Sequence, residues 1–234
     1  MDNSSTRSQP DFETFFRDWV TRLELYLQEL LHLLNFLDKP HESKQQQLIL
    51  IRQVTTHYQE YFLAKAQVSR HDVFLVLSPP WLSSYERTFL WLAGFKPTLV
   101  IYVVKNCGIE FGYDQAERLE KLVVETKDEE GRIAEGLAML ERQVVEPPML
   151  GLARMGGREV NGMISEVDTA VDKLAEHMEV LVGCADYLRE KTVANVVGIL
   201  TTAQTVRFLA AFVQLQLRIR RWGQQWEHGT ANLP

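Results

Sequence analysis

The sequence predicts an all-α protein, a single multi-helix domain of long antiparallel helices that is similar to a helical bundle. Apolar residues recur every three or four positions along nearly the whole chain, the spacing that gives a helix one apolar face. Prolines, glycines and helix-capping residues divide this pattern into segments. No second segment could pair with an isolated strand and satisfy its backbone groups. Together these observations favour helices over a sheet.

The composition is typical of a globular protein and excludes several function classes. The chain has 234 residues, 46% of them hydrophobic and 24% charged. A net charge of -6 argues against a general nucleic-acid binder, which needs an excess of Lys and Arg. Cys107 and Cys184 match no metal-ligand spacing and no disulfide framework, so we expect a reducing compartment. The N-terminus has no apolar segment typical of a signal peptide, and no apolar run is long enough for a membrane span.

Two helices are predicted before the first pair of adjacent prolines. An apolar stripe covers residues 12–34, and Lys39-Pro40 ends it. A second helical pattern covers residues 42–77. Pro79-Pro80 stops that pattern because neither proline can donate an amide to the preceding turn.

The stretch SPPWLSSYERTFLWLAGFKPTLVIYVV, residues 78–104, is unusually rich in apolar and aromatic side chains. Ser83-x-x-Glu86 predicts a capping box that opens a new helix. Gly94 is placed to end that helix in a left-handed cap. On this interpretation three aromatic residues of the segment pack in the core: Trp81, Tyr85 and Phe89.

Residues 97–106 carry two conflicting signals, one for a helix at their start and one for a strand in the run that follows. Pro97 occupies a position suited to a first helical residue, where its missing N–H costs nothing. The β-branched run that follows favours a strand. Because no partner strand is predicted, we expect the helix.

The C-terminal half predicts two long helices and a final basic one. Asp114-x-x-Glu117 resembles a capping box, and its helical pattern continues to Pro147-Pro148. Residues 149–159 are glycine-rich and predict the principal loop. A 3-4 alternation then covers residues 164–188, and the last helix opens near Thr201 or Thr202. The predicted apolar face of that helix consists of Val206, Leu209, Phe212, Leu215, Ile219, Trp222 and Trp226.

No catalytic or metal-binding motif is found. The six histidines never fall at the i, i+4 spacing that places two imidazoles on one helix face. The chain has no Gly-x-Ser-x-Gly motif, and Gly156-Gly157 lacks the strand, the Lys and the helix start of a phosphate-binding loop. We therefore predict a protein that is not an enzyme, with no metal site and no cofactor.

Residues 207–226 form a basic amphipathic helix without an acidic side chain. Helices of this kind suit calmodulin or an anionic surface. The alternative is that the apolar stripe faces the domain core while the arginines face water. Both interpretations remain open from the sequence. The candidate calmodulin- or partner-binding residues are Arg207, Arg218, Arg220, Arg221 and Trp222.

Several spaced motifs resemble one plant family. These are Phe12…Phe16-x-x-Trp19, Phe62-x-x-Lys65, Ala185-Asp186-x-Leu188-Arg189 and a block over residues 81–97. Together with Trp222 they are similar to the plant Delay-of-Germination domain, and the resemblance covers residues 12–222. We expect the block to mark structure rather than chemistry, with its family-typical residues in the core: Trp81, Glu86, Arg87, Trp91, Gly94 and Pro97.

The resemblance implies an all-helical, non-enzymatic domain that binds other proteins. In TGA-type transcription factors this domain follows a basic leucine zipper, whereas in DOG-like proteins it stands nearly alone. Only about 11 residues precede Phe12, so we expect the second kind and no direct DNA binding. The expected boundaries are a disordered tail over 1–10, the domain over 11–227 and a disordered tail over 228–234.

The family's dormancy regulator binds heme through two histidines spaced four apart before a Trp-Gly pair. Here Trp222-Gly223 is present, but the matching positions hold Gln216 and Arg220. Neither side chain is an ordinary axial ligand of heme iron. We therefore predict no heme at this site.

These expectations lead to a regulatory protein of seed dormancy, seed maturation or related development, linked to abscisic acid signalling. The partners that the resemblance implies are type 2C protein phosphatases and calmodulin, in the nucleus and/or cytoplasm, with no membrane and with a homo-oligomer as a further candidate. The alternatives are a transcriptional regulator that acts on DNA through a zipper-bearing partner, a pollen-development protein, and a carrier of an apolar ligand in a helix-lined cavity.

Overall fold

A computed structural model describes residues 5–35, 42–144 and 161–230, and the described chain folds into eight α-helices. Within those ranges there is no strand, only an isolated bridge between Trp91 and Gly94. The all-α prediction is confirmed. The helices are α1 (Ser5–Leu34), α2 (Glu42–His71), α3 (Val73–Leu77), α4 (Ser84–Arg87), α5 (Thr98–Asn106), α6 (Tyr113–Val144), α7 (Asn161–Ile199) and α8 (Thr202–Thr230).

One half of the domain is built from α1, α2 and α8, which pack against one another. Trp19 of α1 and His57 of α2 join the first pair. The indole Nε1 of Trp19 donates to the carbonyl of His57 at 2.8 Å, and the two rings stack with centroids 4.8 Å apart. Both side chains are buried. A polar ring atom is thus satisfied inside an aromatic core, as burial requires.

The other half is the antiparallel pair α6 and α7, against which α5 packs. The buried carboxylate of Glu130 on α6 accepts the backbone N–H of Thr98 at 2.7 Å, at the first turn of α5. This supplies the acceptor that the start of a helix lacks. The segment whose β-branched residues favour a strand is therefore the helix α5, as Pro97 at its start predicts.

The predicted helix over residues 42–77 is in fact two helices. Asp72 lies between α2 and α3, and its Oδ1 accepts the backbone N–H of Leu75 at 3.1 Å. An aspartate that caps the following turn competes with continuation of the preceding helix. The prediction of one continuous helix is wrong for this reason.

The segment over residues 83–97 matches the prediction at its start and differs from it at its end. Ser83 and Glu86 form the predicted capping box. The helix that it opens, α4, is only one turn long. Leu92 and Ala93 have φ values of 43° and 61°, so the left-handed positions precede Gly94 rather than include it. Gly94 is not the helix cap that the sequence predicts.

Two further helix starts can be compared with the sequence. Helix α6 begins at Tyr113, and the Gln115 side chain accepts the backbone N–H of Gly112 at 3.2 Å, so Asp114 lies inside the first turn rather than at the cap. Helix α8 begins at Thr202, as predicted, with Thr201 capping it. The predicted loop over 149–159 lies outside the described residues, and the predicted tails stay a prediction.

We expect Gly223→Ala to destabilise the protein. A Cβ at this position would lie 2.0 Å from the Ser83 Oγ and 3.0 Å from the Ser83 Cβ, and the capping box holds that serine in place. Overpacking of this kind costs about 1–3 kcal/mol. Urea unfolding followed by circular dichroism measures the change.

The matched control is Gly131→Ala in α6, where an added Cβ meets nothing within 4 Å. Because alanine favours a helix over glycine by up to about 1 kcal/mol, this variant gains stability. Equal effects of the two substitutions would contradict the contact between α8 and Ser83.

Candidate functional site

A latch joins the end of α8 to the segment over residues 78–97, called here the signature segment. The Glu227 carboxylate accepts the backbone N–H of Ser84 at 2.8 Å. Arg220 donates to Glu86 at 3.2 Å, and its guanidinium lies 5.0 Å from the centre of the Phe16 ring. The latch therefore fixes the C-terminal half of α8 against the capping box.

The signature residues are distributed between the interior and the surface. Glu86 and Pro97 are buried. Trp81 is half-buried, with its ring centroid 4.5 Å from that of Phe12. Two positions differ from the predicted core packing, since Arg87 is exposed and Phe89 is 52% exposed. Arg87 lies at the end of the single turn α4, and Phe89 lies just beyond it. The longer helix that the sequence predicts is absent here, which explains the difference.

Three buried charged side chains hold the turn over residues 91–95. Arg189 of α7 donates to the carbonyls of Trp91, Leu92 and Phe95, the last at 2.7 Å. Lys65 of α2 donates to the carbonyl of Ala93 at 2.9 Å. This set, Lys65, Arg189 and the Asp186 carboxylate between them, is called here the clamp. It satisfies backbone carbonyls that no helix or strand pairs.

The clamp carries two cations and one carboxylate. Asp186 accepts from Lys65 at 2.7 Å and from Arg189 at 2.6 Å. Burial lowers the pKa of Lys65 to about 8, although Asp186 opposes that shift. Burial also lowers the pKa of Arg189. Because charged groups lose hydration when buried, this cluster has a cost that its hydrogen bonds must offset.

An apolar cavity of about 470 Å³ lies beside the clamp. Aromatic and aliphatic side chains of α1, α2, α8 and the signature segment line it, and Lys65 and Arg189 reach its wall. A second cavity of about 310 Å³ lies next to it. The residues common to both walls are Tyr58, Phe62, Phe95 and Phe212.

The predicted apolar face of α8 is buried at its start and exposed at its end. Val206, Leu209 and Phe212 lie in the core. Trp222 and Trp226 are 49% and 65% exposed. The core interpretation therefore holds for the first half of the stripe and fails for these two tryptophans, although Gly223 between them is buried against Ser83.

The basic residues of α8 do not form one surface. Arg218 and Arg221 are exposed near Trp222, whereas Arg220 is half-buried and paired with Glu86. Arg207 is exposed at the opposite end of the helix, beside Cys107. Of the five candidate partner-binding residues, Arg218, Arg221 and Trp222 are together at the accessible end of α8.

The two positions at which the resemblance implies heme-binding histidines, Gln216 and Arg220, are occupied by side chains that already have hydrogen-bond partners. The Tyr58 hydroxyl donates to the Gln216 side-chain oxygen at 2.7 Å. The Arg220 guanidinium is paired with Glu86, and a guanidinium stays protonated and cannot donate an electron pair to iron. These residues do not fit a heme.

The described part of the chain has neither a candidate metal site nor a candidate membrane-spanning helix. Residues 5–35, 42–144 and 161–230 contain no cluster of three or more His, Cys, Asp or Glu side chains that could hold a metal ion. In the same ranges no helix is both long and apolar enough to cross a membrane.

The sequence motifs contain Lys65, Asp186 and Arg189, but sequence reasoning assigned them no role. The sequence does carry a weak indication of a buried charged cluster. Each of the three is a charged residue at a position where the helical period places the core. The sequence offers no means of joining Lys65 to Asp186, which is 121 positions away.

The fold and the clamp define the class of this protein. It is an all-helical domain in which charged residues of α2 and α7 support an irregular aromatic segment. Comparison with known families makes the assignment specific. The chain belongs to the DOG1 family, whose model is described as seed dormancy control and matches residues 26–106. It is therefore related to regulatory proteins of plant seed dormancy and development rather than to enzymes.

The similarity to individual relatives extends over nearly the whole chain. Protein DOG1-like 4 of Arabidopsis thaliana is 34% identical over 224 residues, which cover 94% of each chain. Protein RESPONSE TO ABA AND SALT 1 of the same plant is 30% identical and covers 94% of this chain and 98% of its own. Transcription factor TGA2 is 26% identical over 92% of this chain but only 64% of its own length.

We expect Lys65 to make the stability of the protein rise with pH in the mildly alkaline range. Folded Lys65 loses its proton near pH 8, whereas the unfolded chain retains it up to about pH 10.5. The unfolded state therefore binds more protons between these values, and the free energy of unfolding increases there by at most ~1.4 kcal/mol per pH unit. Urea unfolding over a range of about pH 7.5 to 10 measures the slope.

The comparison variant is Lys65→Met, which leaves Asp186 paired with Arg189 alone. Burial raises the pKa values of Tyr58 and Tyr61, but both tyrosines are present in both proteins, so their contribution cancels. A slope that is unchanged in Lys65→Met would show that Lys65 does not titrate in this range.

Proposed function

We propose that the protein is a non-enzymatic interaction module that binds other proteins in seed dormancy, seed maturation or related development, with a link to abscisic acid signalling. The observation that carries the proposal is the accessible end of α8. Trp222 lies there with Arg218 and Arg221, on a helix that the latch joins to the capping box. Tryptophan and arginine are the residues that most often supply the binding energy of protein interfaces.

The charge of this surface indicates the kind of partner. Arg218 and Arg221 favour an acidic partner surface, while Trp222 offers a large apolar anchor. The family membership supports a role in seed dormancy or development, and the name RESPONSE TO ABA AND SALT 1 of one relative supports the link to abscisic acid. The similarity to TGA transcription factors supports a nuclear location.

We expect Trp222→Ala and Arg221→Glu each to weaken binding to the catalytic domain of a clade A type 2C protein phosphatase by about ten-fold or more, the loss typical of an interface anchor. Isothermal titration calorimetry with the intact chain measures the dissociation constant. Arg207→Glu is the matched control, because Arg207 is exposed at the far end of the same helix. Equal losses in all three variants, or no binding by the unaltered chain, would contradict the proposal.

Calmodulin provides a second probe of the same surface. A peptide of residues 207–226 is expected to bind calcium-loaded calmodulin, which surrounds the apolar anchors of a target helix. The intact protein is expected to bind it far more weakly, because Leu209, Phe212 and Leu217 are buried. Equal affinity of the peptide and the protein would mean that α8 leaves the core.

A second candidate function is the binding of an apolar ligand, and the cavity of about 470 Å³ is the observation that favours it. Its size falls within the range of small-molecule sites, and its lining is mostly apolar with a few polar groups. The clamp places more positive than negative charge at its wall. An apolar molecule that carries a carboxylate matches this arrangement.

We expect delipidated protein to be stabilised by a long-chain fatty acid. A fatty-acid concentration of about 100 times the dissociation constant adds about 2.7 kcal/mol to the free energy of unfolding. For a domain of this size, that raises the melting temperature by roughly 5–10 °C. Differential scanning fluorimetry measures the shift. Leu90→Trp, which narrows the cavity wall, should abolish it, while the exposed control Leu63→Trp should not. A shift of the same size in both variants would place the fatty acid elsewhere.

A further inference from the structure

Lys65 is a buried lysine whose amine lies at the wall of an apolar cavity. Its side chain is 1% exposed, and it lines the cavity of about 470 Å³ beside the clamp. Lysines are almost never fully buried unless they are paired. Asp186 supplies the partner here and explains the burial of the charge. It does not explain why the amine also borders a cavity.

The hydrogen bonds of Lys65 leave one position of its amine unpaired. The Nζ donates to the Asp186 Oδ1 at 2.7 Å and to the Ala93 carbonyl at 2.9 Å. Among the described residues no third acceptor contacts it. An ammonium has three N–H groups, whereas a neutral amine has two N–H groups and a lone pair. The two acceptors therefore match the neutral amine, with its lone pair at the third position.

Two aromatic rings of the cavity wall lie next to this amine. The ring centres of Tyr61 and Phe62 are 6.0 and 5.8 Å from the Lys65 Nζ. Burial in these surroundings lowers the pKa of Lys65 to about 8, so the neutral amine is well populated in mildly alkaline solution. Lysines that are desolvated in apolar pockets are the ones that react as nucleophiles with carbonyl compounds.

The cavity selects the class of carbonyl compound. Its lining is mostly apolar, so the hydroxyl groups of a sugar would lose their hydrogen bonds with water on entry. An aldehyde carbon carries only one substituent chain, which suits an amine that is almost fully buried. We propose that Lys65 captures an apolar aldehyde as an imine in this cavity. The inference rests on the second candidate function, ligand binding in the cavity, and not on the partner surface of α8.

The reaction is a condensation that releases one water molecule. The Lys65 Nζ attacks the carbonyl carbon and forms a C–N bond, while a proton moves from the nitrogen to the carbonyl oxygen. The C–O bond of this carbinolamine then breaks and water leaves, which gives the imine. Asp186 accepts the one N–H of the protonated imine and balances its charge. The Ala93 carbonyl loses its donor, so capture couples the occupant of the cavity to the signature segment.

Reductive trapping tests the inference. The intact protein is incubated with octanal and sodium cyanoborohydride at about pH 7.5, and the hydride of the reagent converts the imine into a stable secondary amine. Peptide mass mapping then locates each octyl group. We expect Lys65 to react about ten-fold or more faster than Lys121, which is 76% exposed, because an amine in water is almost entirely protonated at this pH. Glyceraldehyde is the polar comparison and should show no preference for Lys65.

Matched variants show whether the cavity is the route to Lys65. Leu90→Trp, which narrows the cavity wall, should abolish the fast labelling, whereas the exposed control Leu63→Trp should retain it. Both variants leave Lys65 in place, so this comparison does not depend on the folding of a Lys65 variant. Lys65→Met, checked for folding by circular dichroism, should lose that octyl group alone.

The outcomes separate this inference from the second candidate function. Octyl groups on exposed lysines with none on Lys65 would overturn it, as would equal labelling of Lys65 in the two tryptophan variants. If a fatty acid stabilises the protein while octanal leaves Lys65 unmodified, only the imine is wrong. If neither molecule acts, the cavity is closed to apolar molecules, and both proposals fail.

Discussion

The position of Arg189 is the constraint on which much of this structure depends. Its guanidinium lies among the carbonyl groups of a turn that has no helical or strand partners, and it pairs three of them, while Lys65 pairs a fourth. Unpaired buried carbonyls would each cost free energy comparable to a lost hydrogen bond. The clamp therefore permits an irregular aromatic segment to lie inside a helical protein, with positive φ values at Leu92 and Ala93.

The clamp also explains the glycine at position 94. A Cβ there would lie 2.7 Å from the Arg189 Cζ and 2.8 Å from its Nε, so any side chain would displace the guanidinium. Glycine is needed here for close approach and not for its backbone freedom. Two further contacts position the signature segment on either side of the clamp. Phe95 forms part of the cavity wall, and Ser83 meets Gly223 of α8.

The sequence predicts what depends on local chemistry. The helical period identifies the long helices, and Ser83-x-x-Glu86 identifies the start of α4 because both partners are three residues apart. It does not identify features in which a local rule competes with a distant contact. Gly94 satisfies the rule for a helix cap, yet its neighbour Arg189 is 95 positions away along the chain. The cavity and the latch depend in the same way on residues that only the fold brings together.

Helix α7 carries two clamp residues on its buried side and a row of exposed residues on the other side. Asp186 and Arg189 point inward, whereas Cys184, Tyr187 and Lys191 are exposed on the other side of the same turns. A helix held by buried ion pairs over this span presents its outer residues at fixed positions, which lowers the conformational entropy lost when a rigid partner binds. Substitutions on the exposed side of α7 leave the clamp contacts intact, because the clamp residues lie on the opposite side of the helix. The residues that hold α7 in place are thus distinct from those that it exposes to solvent.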